Sequence, residues 1–226
     1  MNTLQHNLQA IQTRISAAKQ QAKRGDEITL IAVSKAQSAE KVRAAFECGQ
    51  VFFGENYCQE ALQKQQTLQD CAIEWHFIGP IQSNKTALIA PNFSWVHSVD
   101  RIKIAERLAA ARGDLLPLNV CIQINSSLEA SKSGTSTAEI IDLAKKIVAL
   151  PQLKLRGLMA IPAATQEIQL QHQQFRQVKM LFDDLRKQGF AMDTLSIGMS
   201  GDFEVAILEG ATMVRVGSAI FGARTS

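Results

Sequence analysis

The feature that most limits what this chain can fold into is a rhythm. Short apolar runs rich in β-branched residues alternate with helix-like stretches, eight times. The spacing predicts strands at Thr29–Ser34, Val51–Gly54, Glu74–Gly79, Trp95–Val99, Leu118–Ile124, Leu155–Ala160, Thr194–Gly198 and Thr212–Gly217. Apolar runs of this kind suit strands covered on both faces, and alternation with helices builds a parallel sheet. Eight such units in about 200 residues suit a compact barrel. The alternative, an open doubly wound sheet, needs an obvious topological switch point. The fold class is therefore read as α/β: one (β/α)8 TIM-type barrel domain over residues 1–226 with an extra N-terminal helix.

That extra helix is written in Leu4, Leu8, Ile11, Ile15, Ala18 and Ala22, which recur at three- and four-residue steps and end at Gly25. It precedes every strand, so it packs on something built later, and is read as a plug on the barrel end. Ser38, Asp100 and Thr137 are read as helix caps. Proline is expected to stop the helix from Asn84 to Ala90 at Pro91, and the one ending near Leu150 at Pro151. The longest irregular stretch is the serine-rich Asn125–Gly134, and a loop of that length in a compact fold is usually functional or mobile.

Composition narrows the function classes. The chain is 46% hydrophobic and 20% charged, as expected of a globular protein. Its 24 basic and 21 acidic residues are mixed along the sequence and there is one tyrosine, which gives nucleic-acid binding little support. The start, Met1 to His6, lacks the layout of a signal peptide, and no apolar run approaches the roughly 18 residues of a membrane span. A cytoplasmic location is expected. Cys48, Cys58, Cys71 and Cys121 are too dispersed for a metal knuckle or redox pair, as are the four histidines, so no metal is predicted.

In a barrel the chemistry lies at the carboxyl ends of the strands. After the first strand comes Lys35, and a lysine there, its ammonium partly desolvated, is poised for amine chemistry. Beginning a solvated loop is its bland alternative. Later strand ends offer Glu55, Asn56 and Tyr57, then Gln82, Asn84 and Lys85, then Asn125, Ser126 and Ser127. The last two loops carry Gly198, Met199, Ser200 and Gly201, then Arg215, Gly217 and Ser218. Hydroxyls and closely approachable backbone N–H groups beside a helix start describe a phosphate site, the frequent barrel arrangement after strands seven and eight. Alone, those glycines need only make turns. An amine paired with a phosphate site describes pyridoxal 5′-phosphate held as a Schiff base.

Several long stretches carry a resemblance: Ala32–Lys35, Phe53–Glu60, Trp75–Lys85, Gln123–Asn125, Ser131–Gly134, Arg156–Pro162, Leu195–Ser200 and Met213–Arg224. The chain resembles the pyridoxal phosphate homeostasis family, one-domain relatives of the alanine racemase amino-terminal barrel. The resemblance implies that Lys35 carries the cofactor, that Asn56 lies by its ring, that Ser200, Gly217 and Ser218 hold the phosphate, and that Arg215 faces the pyridine nitrogen. It also implies a protein that binds and supplies the cofactor, possible recipients being apo-enzymes, with no catalytic residues of its own. Two positions depart from the family. Gln37 stands where a second lysine is frequent, and Gly201-Asp202 replaces a pair of aspartates. Lys132, in the serine-rich loop, is a candidate for a secondary cofactor site.

The rival reading is an amino-acid racemase. Arg215 cannot accept the pyridine proton and so favours a weak electron sink. In the racemase, the resemblance implies, a tyrosine from another domain is the second base. Tyr57 is the only tyrosine here, and it is expected to pack. The polar residues Gln59, Glu60, Gln63, Lys64 and Gln66 are read as a solvated helix face, and a monomer is predicted.

Overall fold

The computed structural model describes residues 3–125, 134–135 and 139–222. Eight parallel strands close in chain order into a barrel: β1 Thr29–Val33, β2 Phe52–Glu55, β3 Glu74–Phe77, β4 Trp95–Val99, β5 Leu118–Ile124, β6 Leu153–Ala160, β7 Thr194–Ser196 and β8 Met213–Val216. Closure is made by β8 against β1, with Ile31 opposite Arg215. The helices are α1 Thr3–Gln21, α2 Ala39–Glu47, α3 Cys58–Thr67, α4 Thr86–Asn92, α5 Ile102–Arg112, α6 Ile140–Val148, α7 Ile168–Lys187, α8 Phe203–Leu208 and α9 Ser218–Phe221.

Strand alternation sorts the side chains into two cores. Leu30, Ala32, Trp75, Phe77, Val96, Leu195, Ile197, Val214 and Val216 join the large cluster under the helices. The residues between them point the other way, into the barrel. Ile31, Trp95, Cys121, Met159 and Met213 form a separate small apolar cluster there. His76, His97, Ser196 and Arg215 occupy the same inward register and are buried. The barrel interior is thus apolar in part and polar in part.

Several sequence expectations need correction. The first helix is no plug. It lies in the outer layer against α8, α9 and α2, with Asn7 donating to the Ile220 carbonyl and Arg14 paired with Glu204. It ends at Gln21, before Gly25, because Lys23 takes a left-handed φ of 52°. Ser38 caps α2 as expected, its side chain accepting from Lys41 N, but the cap position of α5 is Arg101, and Asp100 pairs with that guanidinium instead. Pro91 lies within α4, near its end, where the loss of one N–H donor is tolerated, and the Asn92 side chain bonds the Leu88 carbonyl. The described start of α6 is Ile140; Thr137 lies outside the described residues, as do Ser126, Ser127 and Lys132. Among the described residues, no helix is long and apolar enough to cross a membrane.

Candidate functional site

At the carboxyl ends of the strands a cavity of about 350 Å³ is lined by Lys35, Asn56, Ser200, Arg215, Gly217 and Ser218. The six residues that the resemblance assigns to the cofactor therefore line one cavity. Val33, Ile78, Ile161 and Met199 supply apolar wall, and Gln37 and Gly201 complete the polar rim. Of this wall only Met199 stands among the strand-end residues read from the sequence; nothing there distinguishes the other aliphatic residues from those of a core. Glu55, Tyr57, Gln82, Asn84, Lys85 and Asn125 are not among the lining residues. Tyr57 does not pack as expected either, being 60% exposed at the start of α3.

Lys35 sits just beyond β1 and is half-buried. The next residue, Ala36, has a left-handed φ of 59°, a conformation costing about 1–2 kcal/mol in a residue with a Cβ. A buried ionic cluster holds this turn. Lys64 Nζ donates to the Ser34 carbonyl at 2.6 Å, to Glu55 Oε1 at 2.7 Å and to Glu60 Oε1 at 2.6 Å. Ser34 Oγ donates to Glu55 Oε1, and Glu60 Oε1 accepts from Ala36 N. Glu55 is fully buried, and that burial raises its pKa against the pull of Lys64. Lys64 and Glu60 thus belong to no solvated face. The signal was present: Lys64 falls on the stripe of Cys58, Ala61 and Leu68, four residues after Glu60.

The strand-two end is fitted to the strand-three end at backbone distance. A Cβ on Gly79 would lie 2.3 Å from the Asn56 carbonyl oxygen, so only glycine allows this approach. Helix α3 starts at Cys58, which leaves Asn56 in the loop that lines the cavity. Its Oδ1 is buried without a hydrogen-bond partner among the described residues.

Opposite, the seventh and eighth loops are joined by Gly217 N donating to Ser200 Oγ at 3.3 Å. No described residue accepts from the N–H of Ser200, Gly201 or Ser218. Asp202 turns inward and accepts from Met199 N at 2.6 Å, and burial raises its pKa. Arg215 is buried, which lowers its guanidinium pKa to about 10. It donates to the carbonyl and hydroxyl of Ser196 and to the Ala160 carbonyl. Three of its five donors are so engaged, and none of these bonds goes to a carboxylate.

The family model described as the alanine racemase N-terminal domain matches residues 6–225. The pyridoxal phosphate homeostasis protein of Pseudomonas aeruginosa is 53% identical, the alignment covering 99% of this chain and 97% of that protein. The chain belongs to the pyridoxal phosphate homeostasis protein family. Its Escherichia coli K12 member is 50% identical over 99% of this chain and 98% of its own. Among solved structures, PipY of Synechococcus elongatus, determined with PLP bound, superposes with a TM-score of 0.86 at 33% identity, covering 97% of this chain and all of that one. Alanine racemase from Corynebacterium glutamicum, at 22% identity and a TM-score of 0.72, shares the fold; this chain covers 60% of it.

Proposed function

We propose that this protein binds pyridoxal 5′-phosphate in the carboxyl-end cavity, on Lys35, and serves its homeostasis by supplying it to apo-enzymes. The observation that carries this reading is the meeting of a half-buried strand-end lysine with the two hydroxyl- and N–H-rich loops in one cavity. Family members 50% and 53% identical over nearly their whole length carry the homeostasis name, and PipY holds PLP. The residues present fit the group. The Ser200, Gly201 and Ser218 N–H groups offer donors to an anion, and the buried Asn56 amide oxygen lacks a partner.

When bound, pyridoxal phosphate supplies an aldehyde for an amine and a ring that withdraws electrons. Lys35 offers the amine, its backbone fixed by Lys64 and Glu60. Ser200, Gly217 and Ser218 would hold the phosphate. Arg215, which cannot accept a proton, would face the ring nitrogen and leave it unprotonated and the sink weak. Asn56 would lie by the ring, and Gln37 rather than an amine stands at the rim. Among the described lining residues, Lys35 and Arg215 are those with an ionisable side chain, so these supply no second base of the kind racemisation needs. The working form is a cytoplasmic monomer of one barrel domain, without turnover of its own.

The test is the visible spectrum of the purified protein before and after borohydride, with the modified peptide mapped. A full-yield adduct on Lys35, abolished in Lys35→Ala, is expected. A full-yield adduct on Lys85 or Lys132 would overturn the assignment. Incubation with L-alanine should form D-alanine no faster than free cofactor does.

A further inference from the structure

A line of polar groups crosses the barrel interior behind the cavity, and the cofactor reading leaves it unused. Arg215 Nη1 lies 2.8 Å from Ser196 Oγ, which lies 2.8 Å from His97 Nδ1. His97 Nε2 is 2.9 Å from His76 Nδ1. His76 Nε2 makes no hydrogen bond of ordinary length and faces Glu74 Oε1 at 3.4 Å. Ser196, His97 and His76 are fully buried, whereas the Glu74 side chain is 41% exposed. Glu74 is the first residue of β3, so the line runs from the cavity to the opposite, amino-terminal mouth. It uses β8, β7, β4 and β3 in turn.

Chemistry gives this line a direction. A guanidinium only donates, an ionised carboxylate only accepts, and a neutral imidazole does one of each. Burial keeps both imidazoles neutral, and the His76 ring beside Glu74 holds that carboxyl below its usual range. Ser196 Oγ accepts from Arg215 and has one proton to give, toward His97 Nδ1. His97 must then carry its proton on Nε2 and donate to His76 Nδ1. His76 in turn carries its proton on Nε2, aimed at Glu74. The reverse order sets an unprotonated His76 Nε2 against a carboxylate, acceptor on acceptor. Only the first order seats a donor on an acceptor at each step.

We propose that His97 and His76 are positioning residues which, with Ser196, form a one-way hydrogen-bond chain coupling the charge of Glu74 to the Arg215 guanidinium and so to the ligand it faces. This rests on the cofactor reading for the ligand's identity, not for the chain itself. Each bond polarises the next, so the anionic end makes Ser196 Oγ a better acceptor. That compensates a buried guanidinium that has no direct carboxylate partner among the described residues. The other charged groups bearing on the line are Arg156, near Glu74 and stacked over Trp95, and Asp202, near Arg215.

Two measurements test it. Nitrogen-15 spectra of the cofactor-free protein should show both rings neutral and protonated on Nε2 at pH 7. An Nδ1 proton on either ring, or a cationic ring, overturns the chain whether or not pyridoxal phosphate binds. The second is a double-mutant cycle on pyridoxal phosphate affinity. Glu74→Gln alone should weaken binding about fivefold, the low end for coupled sites, and shift the pH profile of the bound chromophore. In a Ser196→Ala background, with the chain cut, Glu74→Gln should have no further effect. Distant residues without such a link give additive effects, and additivity would overturn the proposal. If Ser196→Ala does not fold, Glu74→Gln decides alone, since its half-exposed site tolerates the change: unaltered affinity together with unaltered His97 signals would refute the coupling. Failure of the wild type to take up pyridoxal phosphate, with both rings on Nε2, would remove the cofactor reading and leave the chain standing.

Discussion

Ser200 has two tasks that one substitution separates. Its hydroxyl accepts from Gly217 N and ties the seventh loop to the eighth, and its own N–H faces no acceptor among the described residues. The hydroxyl still has its own proton to give, and a charge-assisted bond from it to a phosphate contributes about 1.5–3 kcal/mol. Ser200→Ala should therefore weaken retention of pyridoxal phosphate by about tenfold or more, measured by equilibrium dialysis. Pyridoxal without the phosphate should bind the wild type poorly. Equal affinity for the two would show that these loops hold no phosphate. Asp202 lies one helix start away but accepts from Met199 N, so it shapes the loop from behind.

The buried cluster of β1, β2 and α3 sets the position of the lysine-bearing turn, and its removal should be costly in a specific way. Lys64→Ala leaves Glu55 fully buried without its cation and releases the Ser34 carbonyl. Breaking such a pair costs about 3–5 kcal/mol. Lys64→Ala should lower the urea midpoint accordingly, and Glu55→Gln in that background should recover part of the loss. No recovery would mean that the cost comes from lost packing of the lysine stem. The two histidines of β3 and β4 act on stability through pH. Their folded pKa values lie below the unfolded value of about 6.5, so their contribution is complete above that pH and is lost as pH falls through the folded values. Each adds a slope approaching about 1.4 kcal/mol per pH unit in that window. Glu55 and Asp202, raised by burial, act in the opposite sense, so the comparison must be differential. Between pH 6.5 and 5 the wild type should lose stability faster than His97→Gln; parallel profiles would show that the rings bind protons in the folded state. These elements also mark what could be read in advance. Strand order and barrel closure followed from apolar rhythm, and the rule that strand ends carry chemistry offered the six residues among others, from which the family resemblance picked them. Lys64 was legible on the apolar stripe of α3, but the line from Arg215 to Glu74 was not, because polar residues on inward strand positions look like ordinary alternation and their partners lie on different strands.

At the scale of the whole molecule, the function proposed requires the cofactor to leave, which turns on what covers the barrel mouth. The racemase from Corynebacterium glutamicum shares this barrel over 60% of its chain, so a large part of that protein lies outside the shared fold. Here the matched relatives and this chain are nearly coextensive. The cavity is bounded by the barrel's own loops, with Met199 at 38% and Ile161 at 40% exposure on its rim, so solvent reaches the edge of the site. Tyr57, the chain's one tyrosine, is not among the lining residues and projects into solvent. A monomer with an accessible bond at Lys35 is the expected state. Sedimentation should give a single species near 24.8 kDa, and hydroxylamine should strip the bound cofactor with the loss of visible absorbance. A tight dimer whose bound cofactor resists hydroxylamine would mean that a second copy closes the mouth. That result would argue for retention and turnover in place of delivery, and would return weight to the racemase reading.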